Sequence, residues 1–160
     1  MLFRSSVGAY PLNKPATGQV SGAVKAASAK ITGKMASTGA GKPGKAVIGI
    51  YDMGTATSLG SPTYKGLIFV GYNGTFNPQK LINLVRTQLK SSRIVSAGPH
   101  GGAMVCGYDT SSGAPASECV WATTTTFGEV GFFSGGHAVK VGGAPGLALK
   151  VRDAVEVRAQ

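Results

Sequence analysis

The chain has 160 residues, which is enough for one domain with a sizeable hydrophobic core. Apolar residues make up 42% of the chain and charged residues only 14%, so the composition is typical of a folded protein and excludes a disordered one. The net charge is +10. No apolar stretch is long enough to span a bilayer, and the first residues, MLFRSSVGAY, lack the apolar core of a signal peptide.

The positive charge is concentrated in the N-terminal quarter of the chain. Residues 1–46 contain seven basic side chains and no acidic one, whereas the remainder contains nine basic and six acidic side chains. Such a segment favours polyanionic partners: an anionic cell-envelope polymer, acidic lipid or nucleic acid. The alternative is a solvated lysine-bearing surface without a ligand. The polyanion-binding residues predicted from this pattern are Lys25, Lys30, Lys34, Lys42 and Lys45.

The basic segment is predicted to contain a short apolar stretch, Val7 to Leu12, followed by a weak helix and a loop. Apolar residues recur at spacings of three and four, as they do on one face of a helix. This predicted face consists of Val20, Val24, Ala27, Ile31 and Met35. The following stretch TGAGKPGK, residues 38–45, is rich in glycine and is predicted to be a loop.

From Ala46 onward the pattern of strands and helices is clearer. The stretches AVIGIYDM and KGLIFVGY predict two strands joined by a loop. A helix over 78–91 is predicted because Asn77 is a good N-cap and Pro78 occupies the first helical position. Its predicted buried side chains are Leu81, Ile82, Leu84, Val85 and Leu89. An extended stretch, RIVSAG, precedes the next strands.

The C-terminal part is predicted to form a hairpin and a final helix. The stretches AMVCGYD and ECVWATTTTFGEVGFFS are rich in β-branched and aromatic residues, as hairpin strands are. The final helix is predicted over 145–159. The resulting order, α-β-β-α-β-β-α, predicts an α+β fold in which helices cover one face of an antiparallel sheet. The predicted organisation is a basic segment over 1–46 and an α+β domain over 47–160.

Cys106 and Cys119 are the only cysteines, and twelve residues lie between them. This spacing excludes the C-x-x-C pattern of a redox pair. If the two cysteines face each other across a hairpin, then Met104 faces Trp121 on the same side of the sheet. We therefore predict a disulfide, with two buried free thiols as the alternative. A disulfide would indicate a location outside the cytosol, so we expect an export signal or membrane anchor upstream of this chain.

Other candidate sites have little support from the sequence. His100 and His137 could form a Cys₂His₂ set with the cysteines, but neither pair has the spacing of a structural zinc site. The stretch GAGKPGKA, residues 39–46, nearly matches a P-loop, yet Ala46 replaces the magnesium-binding hydroxyl and a strand follows instead of a helix. The six acids are scattered and no nucleophile motif occurs. No metal, cofactor or catalytic residue is therefore predicted.

Several stretches resemble a group of uncharacterised, exported actinobacterial proteins. The resemblance lies in VGAY, AGPHGGAMVCG, ECVWATTTTFGEVGFF and LKVRDAVEVR, and it covers mainly residues 94–133. It implies a cytoplasmic tail and one transmembrane helix, followed by an extracellular domain of this size whose two cysteines pair. In that group an acidic residue often follows Trp-Ala, where this chain has Thr123. The resemblance implies no activity.

Together these patterns predict a non-enzymatic extracellular binding or scaffolding module at the bacterial cell surface. Its expected partner is an anionic envelope polymer or a protein. The first alternative is a structural subunit of an extracellular assembly, including a homo-oligomer. The second is a polyanion or nucleic-acid binder that acts through the basic segment. Contact with a membrane is expected only through the upstream anchor.

Overall fold

A computed structural model describes residues 5–52, 65–110, 116–134, 137–138, 140 and 142–156, without the side chains of 19–21, 23–24, 27–28 and 137–138. The described residues form mainly antiparallel strands and three α-helices. The strands are β1 (Ser6–Val7), β2 (Tyr10–Pro11), β3 (Gly41–Asp52), β4 (Lys65–Phe76), β5 (Lys90–Val95), β6 (Ala103–Asp109), β7 (Ala116–Ala122), β8 (Thr126–Ser134) and β9 (His137–Ala138). The helices are α1 (Lys14–Ser37), α2 (Pro78–Arg86) and α3 (Ala144–Val155), and a 3₁₀ turn spans Gly98–His100.

The main sheet has the strand order β3-β4-β8-β7-β6-β5, and all neighbouring strands are antiparallel. The short strand β9 pairs with the end of β8, and β1 and β2 form a separate hairpin. Since α2 connects β4 to the far edge strand β5, it crosses one face of the sheet and contacts β6 and β7. Helix α1 contacts β3. Helix α3 contacts β7 and β8.

The sheet is buried on both faces. Residues of α3 share one core with the side chains of Phe69, Cys119 and Trp121. Residues of α1 and α2 share the other core with Val70 and Val120. Neighbouring positions along a strand point to opposite faces, so strands with apolar residues at successive positions need cover on both sides.

The expected arrangement of the helices is therefore partly wrong. The α+β class and the antiparallel sheet are confirmed, but α3 lies on the face opposite to α1 and α2. The physical reason is visible in the β6–β7 hairpin, where Val105 pairs with Val120 on one face and Met104 pairs with Trp121 on the other. Both sides of this hairpin are apolar, and helices on a single face would leave one side exposed to water.

The disulfide between Cys106 and Cys119 is confirmed, and the two residues lie directly opposite each other across β6 and β7. The packing of Met104 beside Trp121 is also confirmed, and both side chains are fully buried. Trp121 stacks on Phe69 with 5.9 Å between the ring centroids. The indole also lies against Gly128, where any Cβ atom would collide with the ring.

Both helices on the α1/α2 face begin at asparagine caps. The Asn77 side chain accepts a hydrogen bond of 3.0 Å from the Lys80 amide, which confirms the predicted cap of α2. The Asn13 side chain accepts one of 2.9 Å from the Ala16 amide and donates one of 2.8 Å to Asp52. The start of α1 is thereby attached to the end of β3.

Several predicted boundaries differ from the structure. Residues 41–46 form the first half of β3 instead of a loop, so the boundary predicted at residue 46 falls inside a strand. Helix α2 ends at Arg86, before the predicted end at 91, and Leu89 is buried just ahead of β5. On α1, Met35 is buried and Ile31 is partly buried, as predicted. The side chains of Val20, Val24 and Ala27 lie outside the described part.

Candidate functional site

The five lysines predicted to bind polyanions are all exposed. Lys25, Lys30 and Lys34 lie on α1, and Lys42 and Lys45 lie on the first half of β3. Lys30 and Lys34 are four residues apart and therefore neighbours on the same side of the helix. Lys25 is nine residues from Lys34, or two and a half turns, so it points from the opposite side of α1.

The acidic side chains, in contrast, are withdrawn from the surface or held by partners. Asp52 is buried and accepts the hydrogen bond from Asn13, while Glu118 and Glu129 are half-buried within the sheet. Asp153 and Glu156 interact with His100 and Arg152. Every lysine of the chain is exposed, and none forms an ion pair with another of the described residues. The exposed charge is therefore more strongly positive than the net charge of the sequence suggests.

A network of polar side chains, the Arg152 network, connects the end of α3 to the sheet. Glu156 Oε1 accepts hydrogen bonds of 2.8 Å from Trp121 Nε1 and 2.7 Å from Thr126 Oγ1. Glu156 Oε2 accepts one of 2.8 Å from Arg152 Nε. The members of the network are His100, Trp121, Thr126, Arg152, Asp153 and Glu156. Their contacts bring together three sequence stretches that carry the resemblance stated above.

Arg152 is fully buried at the centre of this network. Its Nη1 atom donates a hydrogen bond of 2.7 Å to the carbonyl oxygen of Ala97, and its guanidinium lies 6.0 Å from the centroid of the Trp121 ring. Its Nη2 atom has no hydrogen-bond partner among the described residues. A buried guanidinium depends on such partners, because an unpaired buried charge is strongly unfavourable.

Sequence reasoning gave no special role to His100, yet this side chain is part of the network. His100 Nε2 lies 2.7 Å from Asp153 Oδ1, and His100 Nδ1 lies 3.9 Å from Glu156 Oε2. A signal was present in the spacing of Arg152 and Glu156, because residues four apart on a helix form ion pairs. That spacing does not indicate which strand the Arg152–Glu156 pair contacts.

Two half-buried glutamates occupy the face of the sheet that α1 and α2 cover. Glu129 pairs with Val70 and Val120, and Glu118 is flanked by glycines on the neighbouring strands. Burial, together with the nearby charge of Asp109, raises the pKa of Glu129 to about 7. Burial, followed by the charges of Glu129 and Asp109, also raises the pKa of Glu118 well above its usual value. Near neutral pH Glu129 therefore adds less negative charge than the sequence implies.

The other sequence motifs do not form sites in the described part of the chain. The cysteines are bonded to each other, and no cluster of His, Cys, Asp and Glu suited to a metal ion occurs among the described residues. The stretch resembling a P-loop forms a turn and the start of β3. The side chain of His137 lies outside the described part.

No known protein family, curated protein or solved structure is significantly similar to this chain. Among the described residues, no helix has the length and apolar character required to cross a bilayer. The disulfide is typical of proteins that function outside the reducing cytosol.

Proposed function

We propose that this chain is a non-enzymatic binding module of the bacterial cell surface and that its ligand is an anionic polymer of the envelope. The observation that carries this proposal is the separation of charge between surface and interior. All lysines are exposed and without ion-pair partners in the described part, whereas the acidic side chains are buried, half-buried or engaged with His100 and Arg152.

This separation gives the surface a positive potential that is only weakly compensated. Exposed charges act together over about 8 Å at physiological ionic strength, so neighbouring lysines such as Lys30 and Lys34 can attract the same polymer. A polymer that contacts this pair and further exposed lysines gains affinity from multivalency, although each contact alone is weak. Binding of this kind is expected to be unselective and sensitive to salt.

The extracellular location is supported by the disulfide between Cys106 and Cys119. The resemblance to exported actinobacterial proteins agrees with this location and supports attachment through a transmembrane segment upstream of the chain. A module held in this way would face the cell wall, where anionic polymers are concentrated.

A role without catalysis is supported by the geometry around His100. The Nε2 atom is held by Asp153 Oδ1, and Nδ1, 3.9 Å from Glu156 Oε2, forms no hydrogen bond to a hydroxyl or thiol nucleophile among the described residues. General-base catalysis requires a free ring nitrogen within hydrogen-bond reach of the group that it activates. This arrangement suits a structural contact.

The features of the two sheet edges argue against the alternative role as an assembly subunit. The end of β3 is covered, because Leu12 forms a bridge with Tyr51 and the Ile50 amide donates to Thr17 Oγ1. The other edge, β5, contains a register shift between Lys90 and Arg93 and exposes both cations. Covered edges, irregular edges and edge cations all oppose pairing with another strand.

Sedimentation with isolated actinobacterial cell walls tests the proposal. The parent domain should sediment with the walls at low salt and be released as the salt concentration rises. The variant K25Q/K30Q/K34Q should sediment less, whereas the control K65Q/K140Q/K150Q, which removes three exposed lysines outside residues 1–46, should retain most of the binding. Equal losses in both variants would show that only net charge matters. No binding at low salt would contradict the proposal.

A further inference from the structure

We infer that the polymer binds across both α1 and α2, and this inference rests on the proposed function. The anionic groups of the polymer form a linear chain of phosphates, which the domain recognises by charge alone. The surface concerned, here called the basic helical face, consists of Lys30, Lys34, Lys80 and Arg86. All four side chains are exposed. Two of them, Lys80 and Arg86, lie outside the basic N-terminal segment.

The end of α1 and the start of α2 contribute to one surface. The Asn77 amide, just before α2, donates a hydrogen bond of 2.9 Å to the carbonyl oxygen of Ala40, just after α1. Met35 of α1 belongs to the same core as Leu81 and Ile82 of α2. The end of α1 and the start of α2 are therefore close to each other.

Lys80 lies at this junction of the two helices. Its Nζ atom is 3.7 Å from the position that a Cβ atom would take at Gly39, in the turn after α1. Gly39 has a φ angle of +65°, a conformation that favours glycine. The ammonium group of α2 is therefore placed next to the C-terminal turn of α1, which carries Lys34.

The two helices carry no negative side chain of their own. Neither α1 nor α2 contains an acidic residue, whereas α3 on the opposite face contains Asp153 and is followed by Glu156. The outer side of α2 consists of the exposed residues Gln79, Lys80, Asn83 and Arg86. Burial raises the pKa of Glu129, on the sheet face that the two helices cover, to about 7, so this carboxyl group compensates the basic helical face only in part.

The side chains on this surface indicate the kind of ligand. Among the described residues no aromatic side chain is exposed, and the only exposed large aliphatic one is Ile94 on β5. Single-stranded nucleic acid is usually bound by stacking on aromatic residues, and surface-bound amphipathic helices insert large apolar ones into a bilayer. The basic helical face has neither in its described part. Its cations are mostly lysines, which attract phosphate groups as point charges and without a fixed geometry, so we expect a chain of phosphates to be recognised by charge alone.

Titration with long-chain inorganic polyphosphate at several salt concentrations tests this inference. The variant K80Q/R86Q should bind about tenfold more weakly than the parent, and its salt slope should be smaller by about 1.5, since each phosphate contact contributes about 0.7 to 0.9. The matched control K65Q/K150Q removes the same charge elsewhere and should have nearly the parent affinity and slope. Circular dichroism should show that both variants are folded.

Two further ligands, duplex DNA and phosphatidylglycerol vesicles, distinguish a free phosphate chain from a nucleic acid and from a membrane surface. Duplex DNA should bind with the same dependence on Lys80 and Arg86 as polyphosphate, because only the chain of phosphates is recognised. Phosphatidylglycerol vesicles should bind more weakly than polyphosphate.

If K25Q/K30Q/K34Q loses binding but K80Q/R86Q does not, the inference is wrong and the proposed function remains. If vesicles bind but polyphosphate does not, the inference is wrong and a membrane surface replaces it. If neither variant differs from its control, the inference is wrong and binding depends on net charge alone.

Discussion

Trp121 and Glu156 are joined by a hydrogen bond of 2.8 Å from the indole nitrogen to Oε1, which connects a central strand to the end of the last helix. The same carboxylate accepts a hydrogen bond from the fully buried Arg152. Replacing Glu156 by Ala would leave this guanidinium without its carboxylate, so we expect E156A to lower the free energy of unfolding by about 3–5 kcal/mol. Urea denaturation measures this loss. The control D153N removes a mostly exposed carboxylate and should cost less than about 1 kcal/mol. Equal, small losses would mean that the network contributes little.

The second prediction concerns the disulfide between Cys106 and Cys119, which closes a hairpin and is fully buried. A bond that closes a loop of this size stabilises the fold by roughly 3 kcal/mol in the chain-entropy model. Replacing both cysteines by alanine should therefore lower the denaturation midpoint markedly. Intact mass before and after reduction of the denatured parent should differ by two hydrogens. Two thiols that react with an alkylating agent before reduction would contradict the bond.

The third prediction compares two leucines on α2. Leu81 is fully buried between the helix and the sheet, whereas Leu84 is only partly buried. We expect L81A to cost about 2–5 kcal/mol, because it removes buried apolar surface and leaves a cavity. L84A should cost clearly less, as measured by the same denaturation experiment. A larger loss for Leu84 than for Leu81 would mean that the orientation of α2 is wrong.

The sequence was sufficient to predict the features that depend on local pattern. The Asn77 cap, the α2 core residues and the register that pairs Cys106 with Cys119 each follow from a helical period or from the alternation along a strand. The loop predicted over 38–45 was wrong for residues 41–45, because their glycines and proline are tolerated in an edge strand, where Pro43 lies next to an irregularity in the pairing.

Features that depend on long-range contacts could not be predicted in this way. The side of the sheet on which a helix lies depends on how a connection crosses the sheet, which periodicity does not specify. The Arg152 network joins residues from three separated parts of the chain, such as Thr126 and Glu156, which are 30 residues apart. The five lysines were identified from charge alone, and the adjacency of Lys80 to α1 became evident only in the fold.

The fourth prediction concerns pH. The pKa of Glu129 is raised to about 7, so the folded state binds more protons than the unfolded state between about pH 4.5 and 7. Stability should therefore be highest at the acidic end of this interval and should fall as the pH rises through 7. One pKa unit corresponds to about 1.4 kcal/mol, so we expect E129Q to be more stable than the parent by roughly 1–3 kcal/mol at pH 8 and nearly equal to it at pH 4.5.

Thermal unfolding between pH 4.5 and 8 measures this effect. The pKa of Glu118 is raised in the same direction, so E129Q should flatten the pH profile in part and E118Q/E129Q should flatten it further. A profile of E129Q that runs parallel to that of the parent across the whole interval would show that Glu129 ionises as an ordinary surface carboxylate.

The central claim is that a polyanion binds the side of the domain formed by α1 and α2, and a map of amide chemical-shift changes tests it most directly. Polyphosphate would be added to the ¹⁵N-labelled domain at low salt, and the shifts would be followed residue by residue. We expect the largest changes around Lys30, Lys34 and Lys80, and small changes along α3, which lies on the opposite face. The largest changes along α3 or β5, or changes spread evenly over all exposed lysines, would contradict the claim.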